Sequence, residues 1–131
     1  MRRDFHMKKA QDYLDEANAV VPKISVEDGI EKHNAGKSVF IDVRDSADIA
    51  ASGTIAGAET IARGMMEFRA DDTHTLHNPV LKKDADVVLV CGAGGQAALA
   101  GKTLVDMGFQ SVSNVGGFKA WKDAGGPTED K

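Results

Sequence analysis

Apolar residues recur at three- and four-residue spacing from Met7 through Ala10, Leu14 and Ala17 to Val21, with Lys, Asp and Glu between them. That spacing lines one face of a 3.6-residue turn and predicts a helix over residues 6–21. Pro22 stops it. Ser25-Val-Glu-Asp-Gly-Ile reads as a helix start, with Ser25 as cap and Asp28 at N3 in a weak form of the capping box. This second helix ends near Asn34-Ala35-Gly36. Ser38-Val-Phe-Ile-Asp42 is a short apolar run ending in a carboxylate, a buried strand. Ser46 or Asp45 caps a short helix to about Ala51, which Ser52-Gly53-Thr54 breaks. Residues 58–61 form another brief strand, and 63–69 a helical turn or two. Residues 71–85 are polar and turn-rich and read as loop. Asp86-Val-Val-Leu-Val90 is the clearest strand, and 96–107 the clearest helix, ended by Gly108. Ser111-Val112-Ser113 is a last short strand and 117–124 a last helix. Strands alternating with helices predict an α/β domain with a mostly parallel sheet.

The 131 residues suffice for one domain with a proper core and not for two. The expected division is an N-terminal helical extension over 1–23 packed on the domain, the domain proper over 24–127, and a tail over 128–131. Net charge is −4 with no long basic run, which argues against nucleic acid and anionic membrane as partners. No apolar stretch approaches the ~18 residues that span a bilayer. The early positive charge is followed by no apolar h-region, so a signal peptide is not expected. A single cysteine, Cys91, forms no intrachain disulfide, which fits a reducing cytoplasm.

Chemistry concentrates in VVLVCGAGGQAALA, residues 87–100. The spacing Gly92-x-Gly94-x-x-Ala97 satisfies a dinucleotide-binding fingerprint, but a lone match is weak. That site needs a second strand ending in an acid about 20 residues on. Here the strand from Ser111 leads to Asn114-Val115-Gly116, and too little chain follows to complete such a sheet. No Gly-Lys-Ser/Thr follows either, so a P-loop is excluded. A strand ending in Cys, then small residues, then a helix makes another kind of site. The helix aims its unpaired N–H groups at whatever sits in front of the strand. Gly92, Ala93, Gly94 and Gly95 scarcely screen those donors, which can curl into an anion-binding nest, and the helix dipole adds to them. A lone cysteine is either a small buried hydrophobe or a reactive group; this position favours a nucleophilic thiolate.

These residues, with others in order along the chain, resemble the single-domain rhodanese family, the thiosulfate sulfurtransferase-like proteins. The likeness runs over residues 24–127. It takes in Ile41-Asp42-Val43-Arg44, Gly53-Thr54-Ile55-Ala56-Gly57-Ala58 and Val90-Cys91-x-x-Gly94. It continues through Ala98, Leu104, Gly108-Phe109, Val112, Gly116-Gly117, Ala120-Trp121 and Ala124-Gly125. The N-terminal helix with Val21-Pro22-Lys23-Ile24, and the stretch 63–68, resemble one bacterial branch of the family. The resemblance implies a rhodanese-like α/β fold, with a central parallel sheet of about five strands flanked by helices. It implies that Cys91 takes sulfane sulfur from a donor, thiosulfate or a persulfide, as its own persulfide. The outer sulfur then passes to a thiol or cyanide acceptor, or along a sulfur-relay protein. Residues 92–97 would form the substrate-binding loop, with no metal and no cofactor.

The family's loop usually reads C-x-x-G-x-R, but here Gln96 stands in the arginine position, followed by Ala97. Glutamine brings neither charge nor a bidentate fork. Losing a charge-assisted contact costs roughly 1.5–3 kcal/mol, so weak use of thiosulfate is expected and neutral or protein-bound persulfides would suffer less. The alternative is a catalytically weak module that binds sulfide, persulfide or a partner protein. Phosphatases on the same fold carry a loop one residue longer that ends in arginine, and neither register supplies one here. Thr54 replaces a usual His and Ala62 a usual Pro. Asp42 and Arg44 are expected to form a structural charge pair near the site, because a buried carboxylate needs a partner. Arg63 or Arg69 would restore the missing charge only by reaching the pocket; surface pairing is the simpler expectation. His74 and His77 lie three apart in a polar loop with no third ligand in view. Phe118 and Trp121 are expected to anchor the last helix.

Overall fold

The computed structural model describes residues 7–131; residue 6, where the first predicted helix was to begin, lies outside the described residues. That helix, α1, runs over Ala10–Val20 and gives way to extended backbone at Val21, just before Pro22. The second, α2, spans Val26–Ala35. Ser25 Oγ accepts the Asp28 N–H at 3.0 Å, and the helix closes on Gly36 in the left-handed conformation. There follow β1 (Ser38–Asp42), α3 (Ser46–Ser52), β2 (Thr54–Ile55) and β3 (Glu59–Thr60). A 3-10 turn (Arg63–Met65) runs into α4 (Met66–Ala70). The chain then forms β4 (Asp86–Cys91), α5 (Gly95–Asp106), β5 (Ser111–Gly117), α6 (Phe118–Asp123) and β6 (Thr128–Glu129).

The central sheet is parallel, in the order β3-β1-β4-β5. It has four strands where about five were predicted. At the outer edge of β5 a fifth position is reduced to one residue, Lys23, bridged to Asn114. Asn114 N–H donates to Pro22 O, and Ile24 N–H to Asn114 O, both at 2.9 Å. Pro22 has no N–H to lengthen a ladder, and α1 and α2 close in on either side. In contrast, β5 runs four residues past the predicted Ser113. Asn114, Gly116 and Gly117 have poor strand propensity, so only pairing with β4 reveals the extension. The register slips by one between Leu89 and Val90, leaving Val115 as the extra residue on β5.

Being central, β4 is apolar on both faces. Val87, Leu89 and Cys91 meet Ile41, Met66, Ala97, Ala100 and Leu104 on one side. Val88 and Val90 meet Phe40, Val115, Phe118 and Trp121 on the other. Gly101 of α5 lets the end of α1 lie close, whereas Gly95 stands at ordinary contact distance from it. A Cβ on Gly101 would stand 2.9 Å from the Val21 methyls, and one on Gly95 would stand 3.6 Å from Leu14. The expected C-terminal tail contains a strand: β6 pairs antiparallel with β2, Thr54 opposite Glu129. The turn before it is held by Trp121, whose Nε1–H donates to Pro127 O at 2.9 Å. Trp121 is fully buried and Phe118 nearly so, as expected of anchors for α6.

Candidate active site

Cys91 is the last residue of β4, at the carboxyl edge of the sheet where open α/β domains bind their ligands. Alternation along the strand turns its side chain to the face of Val87 and Leu89, and it is 1% exposed. The next residues, Gly92 and Ala93, are exposed. The chain then reverses at Gly94, whose φ of +97° is left-handed. That reversal brings the Gly94 N–H onto Cys91 Sγ at 2.9 Å. Gly94 is also the N-cap of α5, so the sulfur lies in front of a twelve-residue helix whose first N–H groups have no partner within it. The predicted cradle thus has at least one donor in place.

Asn114, which sequence reasoning passed over, holds this loop from behind. Its Nδ2 donates to Gly94 O at 2.9 Å, and its Oδ1 accepts the Gly116 N–H at 2.8 Å. It is 2% exposed, so these bonds are made away from water, where an unpaired amide is costly. The only hint in the sequence is an asparagine and two glycines closing an apolar strand. Gly117 has its own reason: a Cβ there would stand 2.3 Å from Gly92 O, so only glycine lets β5 pass the Cys91 loop.

The other predicted residues fall into place unequally. Ala97 is buried beneath the helix start, and Gln96 is exposed, with no side-chain hydrogen bond among the described residues. Asp42 and Arg44 form a buried ion pair, Nη2 to Oδ2 at 2.7 Å and Nε to Oδ1 at 3.0 Å. The guanidinium also bonds Ser52 Oγ and Gly53 O, both at 2.9 Å, and lies over the Phe118 ring. Thr54 Oγ1 donates to the same carboxylate at 2.8 Å. This cluster braces the end of β1 against the turn from α3 to β2, and occupies Nε and Nη2 of Arg44. Arg63 is bound at 3.2 Å both to Glu67 and to Thr103 Oγ1. Thr103 is seven residues along α5 from Gln96, about 10 Å at the helical rise, so Arg63 is not brought to the loop. His74 Nδ1 accepts the Leu76 N–H and its ring lies against Phe68. The His77 ring bonds Leu81 O. Both histidines are used to shape the 71–85 loop.

Residues 25–124 match the family model of the rhodanese-like domain. Among solved structures, the chain is similar to a protein of unknown function from Rhodopseudomonas palustris CGA009, described as a possible tyrosine phosphatase. Identity is 37%, the TM-score 0.89, and the match covers 98% of this chain and 99% of that one. It is also similar to the polysulfide-sulfur transferase homodimer from Wolinella succinogenes, at 28% identity and a TM-score of 0.70, over 92% of this chain and 87% of that one. The mitochondrial protein HIGH ARSENIC CONTENT 1 of Arabidopsis thaliana is 32% identical over 66% of this chain and 53% of its own length. The chain spans little more than half the length of the curated relatives it matches.

Proposed function

The chain belongs to the rhodanese-like domain family, and from that premise we propose that it moves sulfane sulfur through a persulfide on Cys91. The observation that carries this reading is the Gly94 N–H directed at Sγ in front of the α5 N-terminus. Backbone donors fixed before the reaction favour negative charge on the sulfur at every stage. In the loading step the Cys91 thiolate attacks the outer sulfur of a donor. A new S–S bond forms as the donor's own S–S bond breaks, and the electron pair leaves with the donor remnant, sulfite when the donor is thiosulfate. In discharge an acceptor thiolate attacks the outer sulfur of the Cys91 persulfide. The electron pair returns to Cys91 Sγ, and the acceptor departs as a persulfide carrying the proton.

Thiosulfate is a poor donor on this reading. The loop from Cys91 to Ala97 contains no arginine, and Arg44 and Arg63 are engaged elsewhere. Neutral or protein-bound persulfides, which need less charge neutralisation, load it better. Likeness to a polysulfide-sulfur transferase supports sulfane-sulfur donors other than thiosulfate. The missing arginine also weighs against phosphate-ester hydrolysis. Loading is read by mass spectrometry: polysulfide should add one sulfur atom to the Cys91 peptide, and Cys91→Ser should abolish the gain. Absence of any gain with polysulfide or thiosulfate, where a known sulfurtransferase is labelled, would refute the proposal. Loading without discharge to cyanide or thiols would identify a sulfur-binding module instead. Among the described residues no helix is long and apolar enough to cross a membrane.

A further inference from the structure

A cavity of about 320 Å³ lies between α1, the outer edge of β5 and the active loop. Gln11 and Asn18 of α1 and Lys23 of the connecting bridge form one wall, and Gly94, Gly95 and Asn114 the other. Leu14 and Ile24 supply its apolar floor. The volume is at the lower end of the range of small-molecule sites. Although the chain carries a net charge of −4, this lining contains a lysine and no carboxylate. Lys23 makes no salt bridge among the described residues and is exposed at the rim. Asn18 makes no side-chain hydrogen bond among them either, whereas the Gln11 amide is already bonded to Asp15. The Lys23 backbone is fixed beside the cavity by its bridge to Asn114. Gly94 belongs to both places: its N–H faces Cys91 Sγ, and its Cα side faces Asn114 and Gly116.

We propose that this cavity is a subsite for the anionic end of a small carboxylate-bearing thiol, paired with Lys23 and hydrogen-bonded by Asn18, while its sulfur exchanges with Cys91. The inference rests on the sulfur-transfer reading above. It extends that reading to residues before position 25, outside the stretch that matches the family domain. The N-terminal extension then selects the acceptor rather than merely covering α5. The charge that Gln96 fails to supply is returned from the opposite side of the loop, where it suits an organic anion.

Two measurements on the full chain test it. The first compares discharge of the Cys91 persulfide by glutathione, which carries carboxylates, and by neutral 2-mercaptoethanol. Lys23→Ala should lower the preference for glutathione, the ratio of the two kcat/KM values, about tenfold. Lys23→Arg should preserve it. An unchanged ratio in Lys23→Ala would overturn the proposal. The second uses S-methylglutathione, which accepts no sulfur, and follows backbone amide shifts by NMR. Saturable shifts at Gly94, Gly95 and Gly116, weakened in Lys23→Ala, support the subsite; shifts elsewhere or none reject it. This second measurement needs no sulfur on Cys91, so it decides the subsite even where the persulfide reading fails.

Discussion

At the scale of single residues, Gln96 and Gly94 do different things. Gln96 is exposed and unengaged among the described residues, so replacing it changes what the loop offers a ligand and not how the loop folds. Gln96→Arg should raise thiosulfate turnover by roughly 10- to 150-fold, the worth of a charge-assisted contact of about 1.5–3 kcal/mol. Stability should stay within about 0.5 kcal/mol, as for surface changes in general. Steady-state cyanide assays compare the two proteins, and equal turnover would show that the arginine position does not limit donor use. Gly94 has the opposite character. Its left-handed φ places the N–H on Sγ, and a side chain there costs about 1–2 kcal/mol. Gly94→Ala should therefore lose stability in denaturant titration and slow loading of Cys91. Gly92→Ala, with open space and no left-handed φ, should instead gain about 0.4–1 kcal/mol, because alanine has less chain entropy to lose on folding.

At the scale of elements, the unit that matters is β4, the loop and α5, clamped by the end of β5. Asn114 is the clamp, joined to Gly94 and Gly116 by one side chain. Asn114→Ala leaves the Gly94 carbonyl and the Gly116 N–H without that partner and should cost about 1–3 kcal/mol. Because Asn114 touches the loop and not the sulfur, the loss should appear as slower Cys91 loading together with faster hydrogen exchange at Gly94 and Gly95. Normal exchange at those amides would show that the loop holds its shape without the clamp. The pair Asp42–Arg44 clamps the neighbouring strand in the same manner, tying β1 to the α3–β2 turn. Truncating Arg44 would strand a buried carboxylate, which is costlier than losing a surface pair.

At the scale of the molecule, the two ends of the sheet hold different groups. The carboxyl edge carries Cys91. The opposite edge is gathered by Asp86, which accepts from Ser38 and Ser111 at 2.6 Å each and pairs with Lys32 at 2.8 Å, joining β1, β4, β5 and α2. Burial opposes its ionisation, but Lys32, Ser111 and Ser38 together outweigh burial and hold the carboxyl below its usual value. The unfolded chain then binds its proton at higher pH than the fold does. The stabilisation is complete above the ordinary carboxylate range near ~3.9 and is lost as pH falls through the depressed folded value. Urea unfolding at pH 7 and pH 3 should show Asp86→Asn removing part of this acid sensitivity, and an unaltered pH dependence would count against the hub. Short-range information was enough for much of the structure. The periods of α1, α5 and β4, the cap at Ser25, the stop at Pro22 and the Cys91 loop all follow from residues a few positions apart. So does the expectation that a buried Asp42 takes Arg44 as partner, two residues away. Tertiary structure alone decided which distant residues meet: Asn114 with Gly94, Lys23 with the cavity beside the loop, Thr128 with Ile55, and Asp86 with three other elements. The reason is that periodicity and turn chemistry act over a few residues. Strand order and register decide contacts across the sheet, and a slip of one residue there turns every following side chain to the other face.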